Sequence, residues 1–548
     1  MQINQLQEAL LAFITEAFSV TPEQGAGIDF TLNTDESKQV FGDISCNAAM
    51  ILAKPLGKSP RDIAQHIAAN FKNENIAKLE IAGPGFLNVF LTKKAFASIA
   101  QELFIKKEEC FKPIHFTKHH YNLEFVSANP TGPLHLGHGR GGIIGDVLGN
   151  ILRFVGHSVT KEYYINDAGN QMERLGQSFK IRCLQVMGEQ MDIPEDGYRG
   201  DYLIDLAQEC YTKYGTALRT EPDTFFSRYA EKHMLEQIKQ TLAAYGISFD
   251  VWFSERSLHE DGAITKAMQV LTDNGFTYEQ DGAVWFTSQQ FGDDKDRVLK
   301  KSDGSLTYVA ADIAYMQNKL SRGADKLILV LGQDHHSYVV RLKGILQALG
   351  YNANDLDVIL YQLVTIKQDG EQLRMSKRAG TGVTLQDIID TVGSDVARFF
   401  YLNRKADAHL DFDLGLALKK TEENPVYYIQ YAYVRTNSIL DKSQEVVALR
   451  NITADDAHYL DDSEQLLLKK ILSLQSLLAA IAANNQTHLL TYYVHELAQL
   501  FHKYYAKNKV IDAENIPASR GRLLMVKLVH DTMHTCLTLL GLNLPERM

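Results

Sequence analysis

The sequence predicts an α/β protein whose central unit is a Rossmann-type parallel sheet, with an α+β unit before it and an all-helical unit after it. Residues 121–165 have the pattern strand, loop, helix and strand, and residues 306–366 return as the second half of the same sheet. From about residue 424 onward, apolar residues recur at helical spacing with almost no strand signal. A chain of 548 residues is long for one domain, so several units are expected.

The first unit, residues 1–117, shows helical periodicity over residues 5–18 and 61–70 and a strand-like pattern over residues 78–91. The first 20 residues contain no Lys or Arg, so their apolar spacing predicts an amphipathic helix rather than a secretion signal. The five cysteines are scattered singly and odd in number, which argues for a reducing compartment. We expect a cytoplasmic protein with no membrane contact, since the apolar run 327–331 is far too short to span a bilayer.

The first strand of the central unit, residues 122–127, ends in a turn-rich loop that carries two histidines. This loop, residues 129–140, reads Asn-Pro-Thr-Gly-Pro-Leu-His-Leu-Gly-His-Gly-Arg and leads into a helix predicted over residues 142–155. Unpaired backbone N–H groups and the positive end of the helix dipole favour anions at such a helix start. Because His135 and His138 add directional donors, the pattern predicts a phosphate site.

Three glycines of the same segment, Gly137, Gly139 and Gly141, would let phosphate oxygens approach the backbone. Other interpretations stay open for these residues. One alternative is that the two histidines are ordinary capping or core residues and that the glycines are packing positions of the helix. A metal site is a third alternative, but no second cluster of Cys or His at ligand spacing accompanies the pair.

A long insertion separates the two halves of the sheet. It contains predicted helices at residues 201–214 and 225–245 and a hairpin at residues 276–286 around Asp281-Gly282. After the second half of the sheet, the apolar run 358–366 is followed by a basic loop that reads Arg-Met-Ser-Lys-Arg-Ala-Gly-Thr-Gly from residue 374 to residue 382. If this loop is considered alone, its cationic residues are explained by a solvated turn.

Together the two loops resemble the signatures of the class I aminoacyl-tRNA synthetases. The segment His135-Leu136-Gly137-His138 is similar to the "HIGH" motif and residues 374–378 to "KMSKS". Lys377 matches the second lysine of that motif, whereas Arg374 and Arg378 replace its first lysine and its final serine. Three further segments resemble hallmarks of the arginyl-tRNA synthetases, so the resemblance extends over the whole chain; they are residues 81–90, 425–435 and 543–548.

The resemblance implies a ligase that attaches arginine to its cognate tRNA through an arginyl-adenylate, with use of ATP and release of AMP and pyrophosphate. It implies catalytic roles for His135, His138 and Lys377, and Mg²⁺ bound mainly by the ATP phosphates, with no structural metal in the protein. The ATP-binding residues that it implies are Pro133, His135, Gly137, His138, Met375, Ser376 and Lys377.

Arginine recognition requires acceptors, because the guanidinium group is always charged and presents forked donors that carboxylates satisfy. By resemblance, Glu124, Tyr308 and Asp312 are assigned to the guanidinium side and Asn129 to the α-amino or carboxylate end. Without the resemblance, Glu124 would be read as a strand-edge acid and Asp312 as a helix-surface acid. Residues 332–336 follow a buried-looking strand and are expected to border the same pocket.

The implied domain order is a tRNA-contacting domain at residues 1–117, a catalytic domain at 118–372 with an insertion at about 170–304, a signature-loop and linking segment at 373–420, and an anticodon-binding domain at 421–548. The net charge of -11 limits tRNA binding to local basic patches. Five tyrosines either stack on bases or belong to the core: Tyr428, Tyr431, Tyr433, Tyr504 and Tyr505.

We expect a monomer whose partners are tRNA(Arg), L-arginine and ATP. Two rival functions are a class I synthetase for another amino acid and a non-catalytic RNA-binding protein that retained the scaffold. The acidic residues assigned above favour a cationic substrate, and the two nearly intact signature loops favour an enzyme.

Overall fold

The computed structural model describes residues 2–113, 116–368, 371–372 and 383–548. The basic loop that resembles the second signature lies outside the described residues, and with it Arg374, Met375, Ser376, Lys377 and Arg378.

The N-terminal unit is a small antiparallel sheet packed against helices. Its elements are α1 (Gln2–Phe18), α2 (Pro22–Gly25), β1 (Phe30–Leu32), β2 (Ile44–Cys46), α3 (Ala48–Leu56), α4 (Pro60–Asn70), β3 (Ile76–Ala82), β4 (Phe86–Leu91) and α5 (Lys93–Lys106). The strand order is β1-β2-β4-β3, and the strand-like segment of the sequence forms the β3–β4 hairpin. The Ser59 hydroxyl caps α4 by accepting from the N–H of Arg61, and Pro60 occupies the first helical position, where no N–H is needed.

The central unit is a five-stranded sheet in which all strands are parallel. Its elements, with the insertion, are β5 (His120–Phe125), α6 (Leu136–Phe154), β6 (Ser158–Ile165), α7 (Asn170–Val186), α8 (Tyr202–Tyr214), α9 (Asp223–Ala244), β7 (Val251–Ser254), α10 (Glu255–Glu260), α11 (Ala263–Asp273), β8 (Thr277–Gln280), β9 (Ala283–Phe286), β10 (Arg297–Lys300), α12 (Tyr308–Ser321), β11 (Lys326–Gly332), α13 (Tyr338–Ala348) and β12 (Leu356–Tyr361). The strand order is β12-β11-β5-β6-β7, so the chain order reverses between β5 and β11.

The insertion differs from the expectation in one respect, because β7 in its middle returns to the parallel sheet beside β6. The predicted helices appear as α8 and α9. The predicted hairpin appears as β8 and β9, with Asp281 at φ 52° and Gly282 at φ 76°. Two consecutive positive φ angles are those of a tight hairpin turn, which the Asp-Gly pair favours.

The apolar run 358–366 is divided between two sheets. It contributes the end of β12 and the start of β13 (Val364–Gln368), which pairs with β14 (Glu371–Gln372) and β15 (Leu410–Asp413). At the break, the carbonyl of Gln362 accepts from the guanidinium of Arg140 at 2.8 Å, and its N–H donates to the carbonyl of Ala406 at 2.9 Å. These two hydrogen bonds satisfy the backbone groups of Gln362, which in an unbroken strand would pair with a neighbouring strand.

Helices form the rest of the chain. They are α14 (Leu385–Val392), α15 (Ser394–Leu402), α16 (Leu414–Ala417), α17 (Pro425–Ser443), α18 (Gln465–Asn484), α19 (His488–Lys507) and α20 (Ile516–Leu540). By length and composition α18 and α20 could cross a membrane, but 56% and 72% of their apolar windows are buried in the protein, as in core helices of a bundle. A buried ion pair at 2.8 Å between Lys469 on α18 and Asp43 ties this bundle to the N-terminal unit.

Candidate active site

A cavity of about 500 Å³ opens at the carboxyl ends of β5, β6 and β11. It lies between β5 and β11, where the chain order of the sheet reverses. In open parallel sheets this is the place where the connections on either side separate and leave a crevice for a ligand.

The backbone leaves β5 in a strained conformation at the cavity. Val126 and Ser127 have φ angles of 67° and 42°, in the left-handed region that side chains other than glycine rarely adopt. The Ser127 hydroxyl donates to Glu124 at 2.9 Å and accepts the N–H of Tyr164 at 3.1 Å, so it holds the turn against β6. Asn129, two residues further, is exposed and lines the cavity. Strain that the surroundings stabilise in this way is typical of functional sites.

The two histidines form a reciprocal cap at the start of α6. His135 Nδ1 accepts the N–H of Gly137 at 3.1 Å, and His138 Nδ1 accepts the N–H of His135 at 3.0 Å. The capping interpretation is therefore right for one nitrogen of each ring. Since Nδ1 is an acceptor, a neutral ring carries its proton on Nε2. Within the described part of the chain neither Nε2 has a hydrogen-bond partner.

Both rings are neutral at pH 7. Burial lowers the pKa of His138 to about 4, and the adjacent His135 acts in the same direction. Burial also lowers the pKa of His135. His138 lines the cavity, whereas His135 is exposed beside it. The backbone N–H groups of residues 135–138 are already bonded, so the helix start presents the two ring Nε2–H donors, without a full positive charge.

The missing Cβ atoms of the glycines in α6 mainly leave room for neighbouring protein side chains rather than for phosphate oxygens. A Cβ atom on Gly139 would lie 2.5 Å from Leu385 Cδ1, and one on Gly141 would lie 2.6 Å from Tyr361 Cε1. The packing interpretation of these two residues is therefore correct. Gly137 and Pro133 lie at the loop and helix start, outside the lining of the cavity.

Two acidic residues, Asp312 and Glu124, form a part of the lining that we call the acidic wall. Asp312, one turn into α12, lines the cavity and accepts a hydrogen bond from the Tyr338 hydroxyl. Burial raises the pKa of Asp312 to about 6, and the negative charge of Glu124 adds to the shift. Burial likewise raises the pKa of nearby Glu255 to about 7, and the charges of Asp312 and Asp167 act in the same direction. Negative charge is thus in excess here, so a bound cation would be stabilised.

The negative charge of Glu124 is partly balanced by neighbouring side chains of the protein. One carboxylate oxygen accepts from the buried Lys319 ammonium group and the other from Ser127. Each oxygen has a further lone pair, so the pairing leaves Glu124 able to accept from a ligand. Lys319 was missed from the sequence, although Asp312, Tyr315 and Lys319 follow helical spacing and all line the cavity. That helical spacing is the sequence signal from which Lys319 could have been identified.

The remaining predicted residues lie at the rim. Tyr308 begins α12 with 72% of its surface exposed and does not line the cavity, but its hydroxyl reaches the neighbourhood of Gly169 at the start of α7. In the segment 332–336, Gly332, Asp334 and His335 line the cavity, as expected for a bordering segment.

The segment after the basic loop is anchored to the histidine loop. Leu136 donates its N–H to the Val383 carbonyl at 3.1 Å, and Leu385 donates to the Leu134 carbonyl at 2.7 Å. In the sequence, five residues of the basic loop, 378–382, lie between Lys377 and Val383.

Three family models match the sequence, in order along the chain. They are "Arginyl tRNA synthetase N terminal domain" at residues 4–91, "tRNA synthetases class I (R), catalytic domain" at residues 100–405 and "DALR anticodon binding domain" at residues 429–548. The model of the catalytic domain alone covers more than half of the chain.

Full-length relatives agree with these models. An arginine-tRNA ligase from Halalkalibacterium halodurans is 43% identical over 100% of this chain and 99% of that protein, and one from Bacillus subtilis is 42% identical over 99% and 98%. Among solved structures, the arginyl-tRNA synthetase of Thermus thermophilus superposes with a TM-score of 0.77 over 100% of both chains. At 22% identity that likeness shows a common fold.

Proposed function

Since the chain belongs to the class I arginyl-tRNA synthetase family, we propose that it attaches arginine to tRNA(Arg) in two steps. In the first, the arginine carboxylate attacks the α-phosphorus of ATP, and the bond to pyrophosphate breaks, giving arginyl-adenylate. In the second, a hydroxyl of the terminal adenosine of tRNA attacks the carbonyl carbon, and AMP leaves. The carboxylate is already ionised at neutral pH, so the protein orients the reactants and stabilises charge on the phosphates.

The observation that carries the proposal is the polarity of the cavity. The carboxylates of Asp312 and Glu124 and the ring of His138, at the capped start of α6, line the same cavity. A guanidinium group at the acidic wall offsets the excess negative charge there. The length of an arginine side chain then directs its carboxylate towards Asn129 and the helix start, where the ATP phosphates bind.

The phosphates of ATP meet donors at the start of α6. The Nε2–H groups of His135 and His138 and the positive end of the helix dipole favour negatively charged oxygens. Mg²⁺, held mainly by the ATP phosphates, would add charge neutralisation there. Lys377, which matches the second lysine of the signature motif, supplies the positive charge for the leaving pyrophosphate.

The helical unit offers a surface for tRNA. Arg435 stacks between Tyr431 and Tyr505, with its guanidinium carbon 4.9 and 5.2 Å from the two ring centres. An adjacent groove is lined by Lys442, Lys507 and Lys509. Aromatic rings and cations of this kind take unstacked bases and phosphates. Of the five tyrosines considered from the sequence, Tyr433 and Tyr504 are buried core residues and are not available for stacking.

We also propose that the enzyme acts as a monomer, which light scattering checks. The reaction itself is tested by ATP-pyrophosphate exchange with arginine, run with and without tRNA. Exchange with arginine, and none with lysine, glutamine or cysteine, is expected. Exchange with another amino acid would assign the chain to a different synthetase, and tRNA binding without exchange or charging would support the non-catalytic alternative.

A further inference from the structure

Lys319 is a buried cation in a cavity that is proposed to bind another cation. It lies on α12, seven residues after Asp312, and is only 1% exposed. Among the described residues it is the only lysine or arginine that lines the active-site cavity. A buried ammonium group costs free energy unless it is paired, and this one is placed where the guanidinium group of arginine is proposed to bind.

The ammonium group of Lys319 has two partners, and both also line the cavity. It forms a buried ion pair with one carboxylate oxygen of Glu124, and it lies 4.3 Å from the centre of the Tyr315 ring. A carboxylate together with the face of an aromatic ring is a favourable environment for an ammonium ion. The cavity thus contains an ammonium site that a side chain of the protein fills.

The surroundings of this ammonium site are fixed by a second buried carboxylate. Glu162 is fully buried, pairs with Arg322 at 2.6 Å and accepts the Tyr315 hydroxyl at 2.6 Å. These bonds hold the ring that faces Lys319 from its hydroxyl end. Because Glu162 is already bonded to other donors, the direct carboxylate partner of Lys319 is Glu124.

The acceptors that remain in the cavity suit a guanidinium group better than a second ammonium group. Asp312 accepts the Tyr338 hydroxyl, which leaves further lone pairs on its carboxylate. Glu124 also has lone pairs left, but Lys319 balances its charge. The planar fork of arginine carries five N–H donors and can bond to acceptors on two carboxylates, whereas an ammonium group is a point charge that gains little from a balanced carboxylate.

We propose that Lys319 is a specificity-determining residue that acts through Glu124. Its ammonium group occupies the position in which a substrate ammonium group would bind, so the cavity accepts the guanidinium group of arginine and disfavours lysine. The inference rests on the proposed function and concerns the selection of the amino acid. Without the charge of Lys319, the Glu124 carboxylate and the Tyr315 ring would be open to a substrate ammonium group.

The test measures how well lysine inhibits arginine-dependent ATP-pyrophosphate exchange by the full chain in the presence of tRNA. The quantity compared is the ratio of the inhibition constant of lysine to the KM for arginine. In Lys319→Met, which keeps the length of the side chain without its charge, this ratio should fall at least about tenfold, because lysine gains a charge-assisted hydrogen bond. Lys319→Arg keeps a cation beside Glu124, so its ratio should stay within about threefold of the wild-type value.

Lys161→Met is the matched control. Lys161 is also buried, and its ammonium group forms an ion pair with Asp146 at 2.7 Å outside the lining of the cavity. Its replacement should lower the denaturation midpoint, as Lys319→Met does, but should leave the ratio unchanged. The comparison separates the loss of a buried ion pair from the opening of an ammonium site.

Lys319→Gln keeps a donor for Glu124 and is the second neutral variant if Lys319→Met does not fold. The proposal is overturned if the ratio in the neutral variant equals that of the wild type, or if it falls as far in Lys319→Arg or Lys161→Met. Exchange by the wild type with arginine establishes the proposed reaction independently of these variants, so such a result leaves the proposed function intact. Lack of wild-type exchange with arginine would refute both.

Discussion

Replacing Asp312 with Asn tests how the cavity recognises arginine. The change keeps the shape of the side chain but removes its negative charge from a wall that it shares with Glu124. A hydrogen bond to a charged group contributes about 1.5–3 kcal/mol, so kcat/KM for arginine should fall roughly 10- to 150-fold. The KM for ATP should stay nearly constant, because the proposed site of the ATP phosphates is the start of α6.

The same residue predicts a pH dependence. Because burial raises the pKa of Asp312 to about 6, with the charge of Glu124 acting in the same direction, the carboxyl group loses its charge as the pH falls through 6. Arginine requires the ionised form, so kcat/KM for arginine should decline on the acid side in the wild type. Asp312→Asn should lack this decline.

The assay is ATP-pyrophosphate exchange at varied arginine concentration. Asp334→Asn is the matched control, since Asp334 lines the same cavity but its side chain is 83% exposed. Because solvent screens that charge, kcat/KM for arginine should change less than about threefold in this variant. If kcat/KM for arginine in Asp312→Asn stays within about threefold of the wild-type value at every pH, the assignment of the acidic wall to the guanidinium group is refuted.

Three further predictions concern other parts of the molecule. Lys377→Ala should slow adenylate formation at least tenfold, about 1.4 kcal/mol, with arginine binding intact; near-normal pyrophosphate exchange would contradict its role. Gly145→Ala should lower the free energy of unfolding by about 1–3 kcal/mol, because its Cβ would lie 2.3 Å from Phe125 Cγ; an unchanged denaturation midpoint would contradict this packing. Arg435→Ala should weaken tRNA binding in filter assays about tenfold while Lys266→Ala does not; equal effects would remove the stacking site.

The sequence predicted the parts of the fold that depend on local pattern. The helix after the histidine loop, the hairpin at Asp281-Gly282 and the helical bundle all follow from apolar spacing or turn chemistry within short windows. The break in the run 358–366 could not be predicted in this way. It depends on Arg140, a residue 222 positions from Gln362, whose guanidinium takes the carbonyl that a continuous strand would have used.

The candidate site shows the same limit. Glu124, Asn129, His138 and Asp312 were chosen from the sequence, and the fold places all four around one cavity. The pairing of Glu124 with Lys319 joins residues 195 positions apart, so only the fold reveals it. The histidines illustrate a different point, since capping and ligand binding were treated as alternatives. The cap uses Nδ1 of each ring and leaves Nε2 available, so the two roles are compatible.

The central claim is that this chain charges tRNA with arginine, and the most direct measurement is ATP-dependent transfer of radiolabelled arginine to total tRNA by the purified full chain. We expect acid-precipitable, alkali-labile label that depends on ATP and on tRNA(Arg), and that unlabelled lysine does not compete away. Absence of arginine transfer by a folded chain that still binds tRNA, or charging with a different amino acid in its place, would contradict the claim.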